Sequence, residues 1–457
     1  MHLHVIGICG TFMGGIAALA RAAGHRVTGC DANVYPPMST QLEAQGIALI
    51  EGFDPAQLEL KPDVVVVGNV MSRGNPLIER LLDSGLPFTS GPQWLAENFL
   101  RGREVVAVAG THGKTTTSSM LAWILEQAGR APGFLIGGIP ADFGTSARAG
   151  MGAPFVIEAD EYDTAFFDKR AKFVHYRPRH LLLTNLEYDH ADIYPDLASI
   201  QRQFHHLVRT VPAAGRITWN AADRALAQVL AMGCWTPRTG FARSASPDAE
   251  WTVRLLADDG STFELLQGGR PAATVRWPLI GMHNVENGLA ALAAAAGMGI
   301  APEVAARALG AFRGVRRRLE LRGEIAGIRV YDDFAHHPTA VASTLDGLRR
   351  HAGKRRIVAV LEPRSATMRL GVHRAELAGS LAGADRVWLY QPAGLDWSLD
   401  GVAGALGGKG AVAREIPRLV ESLAAELRAG DDVVIMSNGG FGGLHDKLLA
   451  ALTARAP

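Results

Sequence analysis

Gly110-Thr111-His112-Gly113-Lys114-Thr115 places two glycines, a lysine and a hydroxyl where a chain can grip phosphate. Glycines let backbone N–H groups turn inward, and a following helix N-terminus adds positive potential. Lys114 can neutralise β/γ-phosphate oxygens, while the Thr115 hydroxyl can ligate Mg²⁺. Thr116 extends the hydroxyl run. The long form of this loop wants glycine five residues before Gly113, where the chain has Val108. The chemistry expected is that of a nucleoside triphosphate.

Such a triphosphate needs hard oxygen ligands for its metal. The candidates are Thr115, Glu158 and His190. Glu158 opens Glu158-Ala159-Asp160-Glu161-Tyr162-Asp163, and His190 closes Glu187-Tyr188-Asp189-His190. Asn284 and Asn287 lie three apart at the head of an alanine-rich stretch, either reading an adenine edge or capping the helix, with capping favoured. Arg316-Arg317-Arg318 stands where one guanidinium can swing onto a γ-phosphate, although an arginine run is usually a solvated face. Tyr331-Asp332-Asp333-Phe334-Ala335-His336-His337-Pro338 gathers acids and imidazoles after a strand-like run, with Pro338 suited to a helix start. A second glycine turn, Gly7 to Gly15, is followed by the strand Arg26–Asp31 and its terminal acid. That order is the layout of a nucleotide-binding βαβ unit, with Asp31 placed to accept ribose hydroxyls.

The elements that must position these groups are strands ending in turns. Val105–Ala109 leads into the phosphate loop and then a helix; Phe155 to Glu158 and Leu181–Asn185 are further apolar strands ending in polar tips. Val64–Val67 is a buried strand ahead of Gly68-Asn69. Turn signals at Asp258-Asp259-Gly260 and Gly268-Gly269 suggest a small antiparallel insertion. Strand candidates Ile328–Tyr331, Ile357–Leu361, Val387–Tyr390 and Val433–Met436 alternate with helical stretches such as Ala340–Arg350 and Ile416–Arg428, which implies a parallel sheet.

The 457 residues suffice for about three domains. The 46 basic and 45 acidic side chains advertise neither nucleic acid nor an anionic membrane. Cys9, Cys30 and Cys234 are too few and too scattered for a disulfide framework or a zinc site. With no long apolar run, the chain is expected to be cytoplasmic, without membrane insertion or nucleic-acid partner, and a monomer or weak dimer.

Together GICGTFMGGIA, AGTHGKTTT, EADEYD, TNLEYDHAD, HNVEN, VRRRLE and YDDFAHHPTA resemble the Mur ligase family, ATP-dependent amide-forming enzymes of bacterial cell-wall synthesis. In that family the phosphate loop takes the shorter GTxGKT form, so Val108 is no departure. The resemblance implies an α/β chain of three domains. These are a Rossmann-like nucleotide-sugar domain over 1–102, a central ATP-binding P-loop domain over 103–313, and a Rossmann-like domain over 314–457 that binds the peptide and closes on ATP. It implies ATP and Mg²⁺ as cofactors and UDP-N-acetylmuramate as partner. The wording of Cys30–Thr40, Glu362–Met368 and Met436–His445 resembles the branch whose acceptor is a salvaged tripeptide, L-alanyl-γ-D-glutamyl-meso-diaminopimelate. L-alanine is the alternative acceptor, and a nucleotide switch without turnover is the alternative of another class.

The implied roles follow the motifs. Gly110, Thr111, His112, Gly113, Lys114, Thr115, Thr116, Asn284, Asn287 and Arg318 would hold ATP. Lys114, Glu158, His190, Arg318 and Asp333 would carry catalysis, and Thr115, Glu158 and His190 the metal. Gly7, Gly10, Thr11, Phe12, Met13, Gly14, Asp31 and Asn69 would hold the nucleotide sugar; Arg364, Arg369, His336 and His337 would hold the peptide. Several family members brace the metal with a carbamoylated lysine after the histidine, but this chain has no lysine between Lys172 and Lys354.

Overall fold

A computed structural model describes residues 1–34 and 38–455; Tyr35, Pro36 and Pro37, inside the stretch Cys30–Thr40, lie outside the described residues. Three main sheets occupy successive stretches of chain. The first is wholly parallel, in the order Ala48–Glu51, Arg26–Asp31, His2–Ile6, Val64–Val67, Phe88–Ser90. Val64–Val67, covered on both faces, reads as an unbroken apolar run, while the buried His2 and His4 of the central strand are satisfied by the Thr28 hydroxyl. The strand order reverses between His2–Ile6 and Val64–Val67, and the Gly7 turn emerges at that switch point.

The second sheet has ten strands. Glu104–Ala109 pairs in parallel with Pro154–Ala159 on one side and His180–Leu183 on the other. The phosphate loop, the Glu158 tip and the Asn185–His190 segment therefore leave the same edge side by side. The expected antiparallel strands, Ala249–Leu255, Thr262–Gln267 and Arg270–Arg276, are present and continue this sheet through Arg238–Phe241. Trp251, Phe263, Leu265 and Val275 are buried in a core shared with Trp277 and Val285, so burial of one apolar face keeps them attached.

A two-stranded hairpin, Asp163–Ala165 with Asp168–Ala171, was not anticipated. Phe167 at its tip meets Phe88 of the first sheet edge to face at 5.1 Å, and Phe166 packs on the first sheet's core. Aromatic packing thus docks the second sheet's unit on the first. The third sheet runs Glu320–Ile325, Ile328–Asp333, Asp431–Met436, Arg356–Leu361, Arg386–Tyr390, Gly410–Ala413; only the first pair is antiparallel. Separate apolar clusters cover its two faces. No helix among the described residues is long and apolar enough to cross a membrane.

Candidate functional site

The phosphate loop closes on its neighbours. A Cβ at Gly110 (φ +152°) would stand 2.0 Å from the Thr184 hydroxyl, and one at Gly113 (φ +79°) 2.2 Å from Asn287 Oδ1. Both positions exclude a side chain by conformation and by space. Asn185 clamps the loop in both senses: its Oδ1 accepts from His112 N at 2.8 Å and its Nδ2 donates to His112 O at 3.0 Å. The Thr111 hydroxyl exchanges hydrogen bonds with the Glu187 backbone. Thr115 and Thr116 are buried in the first turn of Lys114–Gln127.

Lys114 Nζ donates to Glu161 Oε2 at 2.7 Å, and the other oxygen of that carboxylate meets His190 Nε2 at 2.9 Å. Burial opposes charge at each of the three groups, yet mutual attraction outweighs it. Lys114 is held above its usual range by Glu161 and Asp160, His190 above its usual range by Glu161 and Asp189, and Glu161 below the carboxylate range by Lys114 and His190. His190 has a left-handed backbone (φ +56°), and its N–H donates to Asp189 Oδ1 at 2.7 Å. The same oxygen accepts from the Thr367 hydroxyl at 2.7 Å, a buried link to the third sheet's unit.

Glu158 sits apart from His190's partners. Its Oε1 accepts from the Thr115 hydroxyl at 3.0 Å and its Oε2 from Gly137 N at 2.7 Å. Burial pushes this carboxyl up, against the pull of Lys114 and the Gly137 N–H. The expected trio of Thr115, Glu158 and His190 is thus split, because Glu161, unrecognised from sequence, takes the imidazole. Two adjoining oxygens of Glu158 and Thr115 in a poorly solvated place fit a hard cation such as Mg²⁺. Asp160, Glu161 and His190 form a second cluster of ligand-type atoms, with Lys172 Nζ on Asp160 at 2.9 Å.

The arginine run divides its work. Arg316 is exposed, and Arg317 bonds the carbonyls of Ser437 and Gly439 within the third unit. Arg318 crosses to the second unit: its Nη2 donates to Thr115 Oγ1 at 3.2 Å, with the guanidinium 4.7 Å from the Phe334 ring centre. Asp333 braces this arrangement, accepting from Leu319 N at 2.6 Å and Ala335 N at 2.8 Å. The connection before it is strapped down. Arg313 bonds Asp142, Ala141 N donates to Gly314 O, Arg316 N donates to Ile139 O, and Pro140 bridges Val315.

Neither asparagine caps its helix, contrary to expectation. Met282–Gly297 begins at Gly281 with no side-chain cap, Asn284 Nδ2 donates back to Ile280 O, and Asn287 Oδ1 accepts from Thr117. His337 does cap Pro338–Ala352, accepting from Thr339 N. Burial, then His112 and His373, depress His337 to about 4, and His336 is lowered by burial alike.

A cleft of about 1160 Å³ lies between the three units, larger than the roughly 300–1,000 Å³ of a single-ligand pocket. Thr111 to Thr116, Glu158, His190, Asn284, Asn287, Arg318, Asp333, His336 and His337 line it. Thr11 is the one member of the first glycine turn to do so. Gly7, Gly10, Phe12, Met13, Gly14, Asp31 and Asn69 do not line it. Met38 covers Gly14, Met13 packs toward Gly91, and Asp31 Oδ2 accepts from Cys9 N at 2.9 Å, so the turn satisfies itself. Arg364 and Arg369 are also outside the cleft and exposed; Arg369 donates to Gly394 O.

Family models match three successive stretches: the Mur ligase family catalytic domain over residues 2–103, the Mur ligase middle domain over 108–295, and the Mur ligase glutamate ligase domain over 317–439. The chain is 55% identical to the Escherichia coli (strain K12) UDP-N-acetylmuramate–L-alanyl-γ-D-glutamyl-meso-2,6-diaminoheptandioate ligase, over 100% of this chain and 99% of that one. It is similar to the crystal structure of a murein peptide ligase from Psychrobacter arcticus (48% identity, 99% of each chain, TM-score 0.78). It shares the fold of the UDP-N-acetylmuramate–alanine ligase of Thermotoga maritima (22% identity, 100% of each chain, TM-score 0.82). With three consecutive domain matches and this identity across its full length, the chain belongs to the Mur ligase family.

Proposed function

We propose that this protein is an ATP-dependent ligase joining L-alanyl-γ-D-glutamyl-meso-diaminopimelate to UDP-N-acetylmuramate, in recycling of cell-wall peptide. The observation that carries it is Arg318 on the Thr115 hydroxyl, beside Glu158, in a chain 55% identical end to end to a ligase named for those substrates. The muramyl carboxylate attacks the ATP γ-phosphorus, ADP leaves, and an acyl phosphate forms. The peptide amine then attacks the acyl carbon, and phosphate leaves as the C–N bond closes.

Each residue has a part in this sequence. The loop N–H groups and Lys114 hold the phosphates, and Arg318 meets the charge on the transferred group. Thr115 and Glu158 would hold Mg²⁺, which supplies charge neutralisation at the phosphate oxygens. Glu161 keeps Lys114 and His190 charged and aligned, and Asp333 sets the turn that delivers Arg318. Asn284 and Asn287 border the place for adenine. The first unit, over 1–102, takes the nucleotide sugar at the Gly7–Gly15 turn with Thr11 nearest the reaction. The unit over 103–313 carries ATP, and that over 314–457 takes the peptide along His336, His337, Arg364 and Arg369. Closure of the three around one cleft keeps water from the acyl phosphate.

The deciding experiment is phosphate release with ATP, Mg²⁺ and UDP-N-acetylmuramate, comparing the tripeptide with L-alanine. Turnover with the tripeptide is expected. Turnover with alanine alone would make this an alanine-adding enzyme, and release with neither would remove the ligase assignment.

A further inference from the structure

Two backbones meet at the seam between the second and third units, outside the large cleft. Gly347 lies buried within the helix Pro338–Ala352 of the third unit, and Gly281 starts the helix Met282–Gly297 of the second. A Cβ at Gly347 would stand 2.8 Å from Gly281 Cα and 3.4 Å from Gly281 N. A Cβ at Gly281 would in turn stand 3.3 Å from Gly347 Cα. Alanine serves a helix interior better than glycine, so the bare Cα of Gly347 serves the approach and not the helix.

The contact is flanked on both sides. Thr339 and His351 share the helix face of Gly347, since their spacings from it are multiples of four. Thr339 Oγ1 donates to Glu187 Oε2 at 2.8 Å, and His351 Nδ1 lies 3.2 Å from Asp259 Oδ2. Asp259 O accepts from Gly281 N at 2.7 Å, and Ile280 packs against the third unit's apolar core. The same helix is tied to the reacting end of its unit. Thr344 Oγ1 donates to Asp333 Oδ1 at 3.2 Å, and Asp333 Oδ2 accepts from the N–H of Leu319, the residue after Arg318. Arg318 Nη2 reaches Thr115 Oγ1 at 3.2 Å, the long end of the hydrogen-bond range. Moving a Cβ at Gly347 from 2.8 Å to the 3.4 Å of ordinary contact takes about 0.6 Å, and that shift carries the helix, the Asp333 turn and the guanidinium away from Thr115.

We propose that Gly347 is a positioning residue for phosphoryl transfer. Its bare Cα sets the depth at which the third unit seats on Gly281, and through Thr344 and Asp333 that depth sets Arg318 on Thr115. The part given to Arg318 rests on the ligase reading; the seat at Gly281 does not, and it is independent of which acceptor the enzyme uses.

The test compares Gly347→Ala with Gly379→Ala in the full chain. Both put alanine into a helix of the third unit, but a Cβ at Gly379 meets nothing within 4 Å. Gly347→Ala is expected to lower kcat at saturating substrates by at least about tenfold. Its affinity for ADP should be unchanged, and its melting temperature held, because alanine is the better helix former. Gly379→Ala is expected to keep the wild-type kcat. Equal kcat in the two variants, or a lowered melting temperature with kcat intact, would overturn the proposal. Small-angle X-ray scattering reads the seat without turnover. With Mg²⁺ and β,γ-imido-ATP bound, Gly347→Leu, a larger wedge, should have a larger radius of gyration than wild type, and an unchanged radius would also overturn the proposal. If wild type itself releases no phosphate, it is the ligase reading that fails, and the scattering comparison alone decides on the seat.

Discussion

The chain carries two glycine turns at the ends of parallel strands, and they are stabilised in opposite ways. The Gly7 turn draws its hydrogen bonds from within its own unit, with Asp31 taking Cys9 N, Gly7 N reaching Cys30 O and Met38 covering Gly14; only Gly15, at its far end, packs on Leu135 of the second unit. The Gly110 loop is held from outside by Asn185, Glu161 and Asn287, and by Arg318 from another unit. A self-sealed turn is a shelf, ready before any ligand arrives. An externally held loop is an assembly whose geometry depends on several elements being in place at once.

That contrast predicts a ranking of effects. Lys114→Ala removes a charge-assisted contact worth about 1.5–3 kcal/mol and should lower kcat/KM for ATP roughly ten- to hundredfold or more. Near-normal turnover would dissolve the distinction between the two turns. Glu161→Gln should follow at roughly tenfold, since two cations lose one shared partner. It also has a pH signature. Glu161 raises His190 above its ordinary 6.5, so the stability this adds is full below that value and fades as pH climbs through the raised one. Thermal melts of wild type and Glu161→Gln should therefore differ most between about pH 4.5 and 6.5, and the gap should narrow without closing as His190 loses its proton, because Lys114 keeps its half of the pair.

A third variant probes the reach of the assembly. Thr367→Val deletes the buried hydrogen bond to Asp189 and a longer one from Ala191 N, about 1 kcal/mol or somewhat more, and should cut kcat roughly fivefold while sparing the KM for ATP. An unchanged kcat would mean that the third unit does not steady His190. Arg364→Ala should raise the tripeptide KM a few-fold with ATP use unaffected, by about one exposed ion pair's worth. Asp31→Asn is expected to be mildest, because an amide oxygen can still accept from Cys9 N. A loss there as large as that from Lys114→Ala would reverse the comparison.

Much of the architecture could be read in advance. Apolar runs such as Val64–Val67 became buried parallel strands because both faces are covered, and hydrophobic pattern reports that directly. The phosphate loop and Glu158 were legible because glycine, lysine and acid act at strand tips next to each other in one sheet. What escaped was partnership. Glu161 looked like any acid in a run of acids, and its link to Lys114 spans 47 positions. Asn185 looked like a strand end, yet it clamps His112 from 73 positions away. Asn284 and Asn287 had the spacing of caps, but Gly281 begins the helix and Thr117 claims Asn287. The hairpin at Asp163–Ala171 was hidden because its strands, of three and four residues, are too short and too polar to show an alternating pattern.

The strap at Ala141–Arg316 has a mechanical meaning. The chain enters the third unit only after being sewn to the loop whose Gly137 N–H supports Glu158, while Gly138 lies against Thr115 and Val315. A lever turns about its fulcrum, and here the fulcrum rests against the carboxylate that faces Thr115. Swinging the third unit outward strains the strap and the bed of Glu158 together, so that removing Arg318 and loosening the acid would be one movement rather than two.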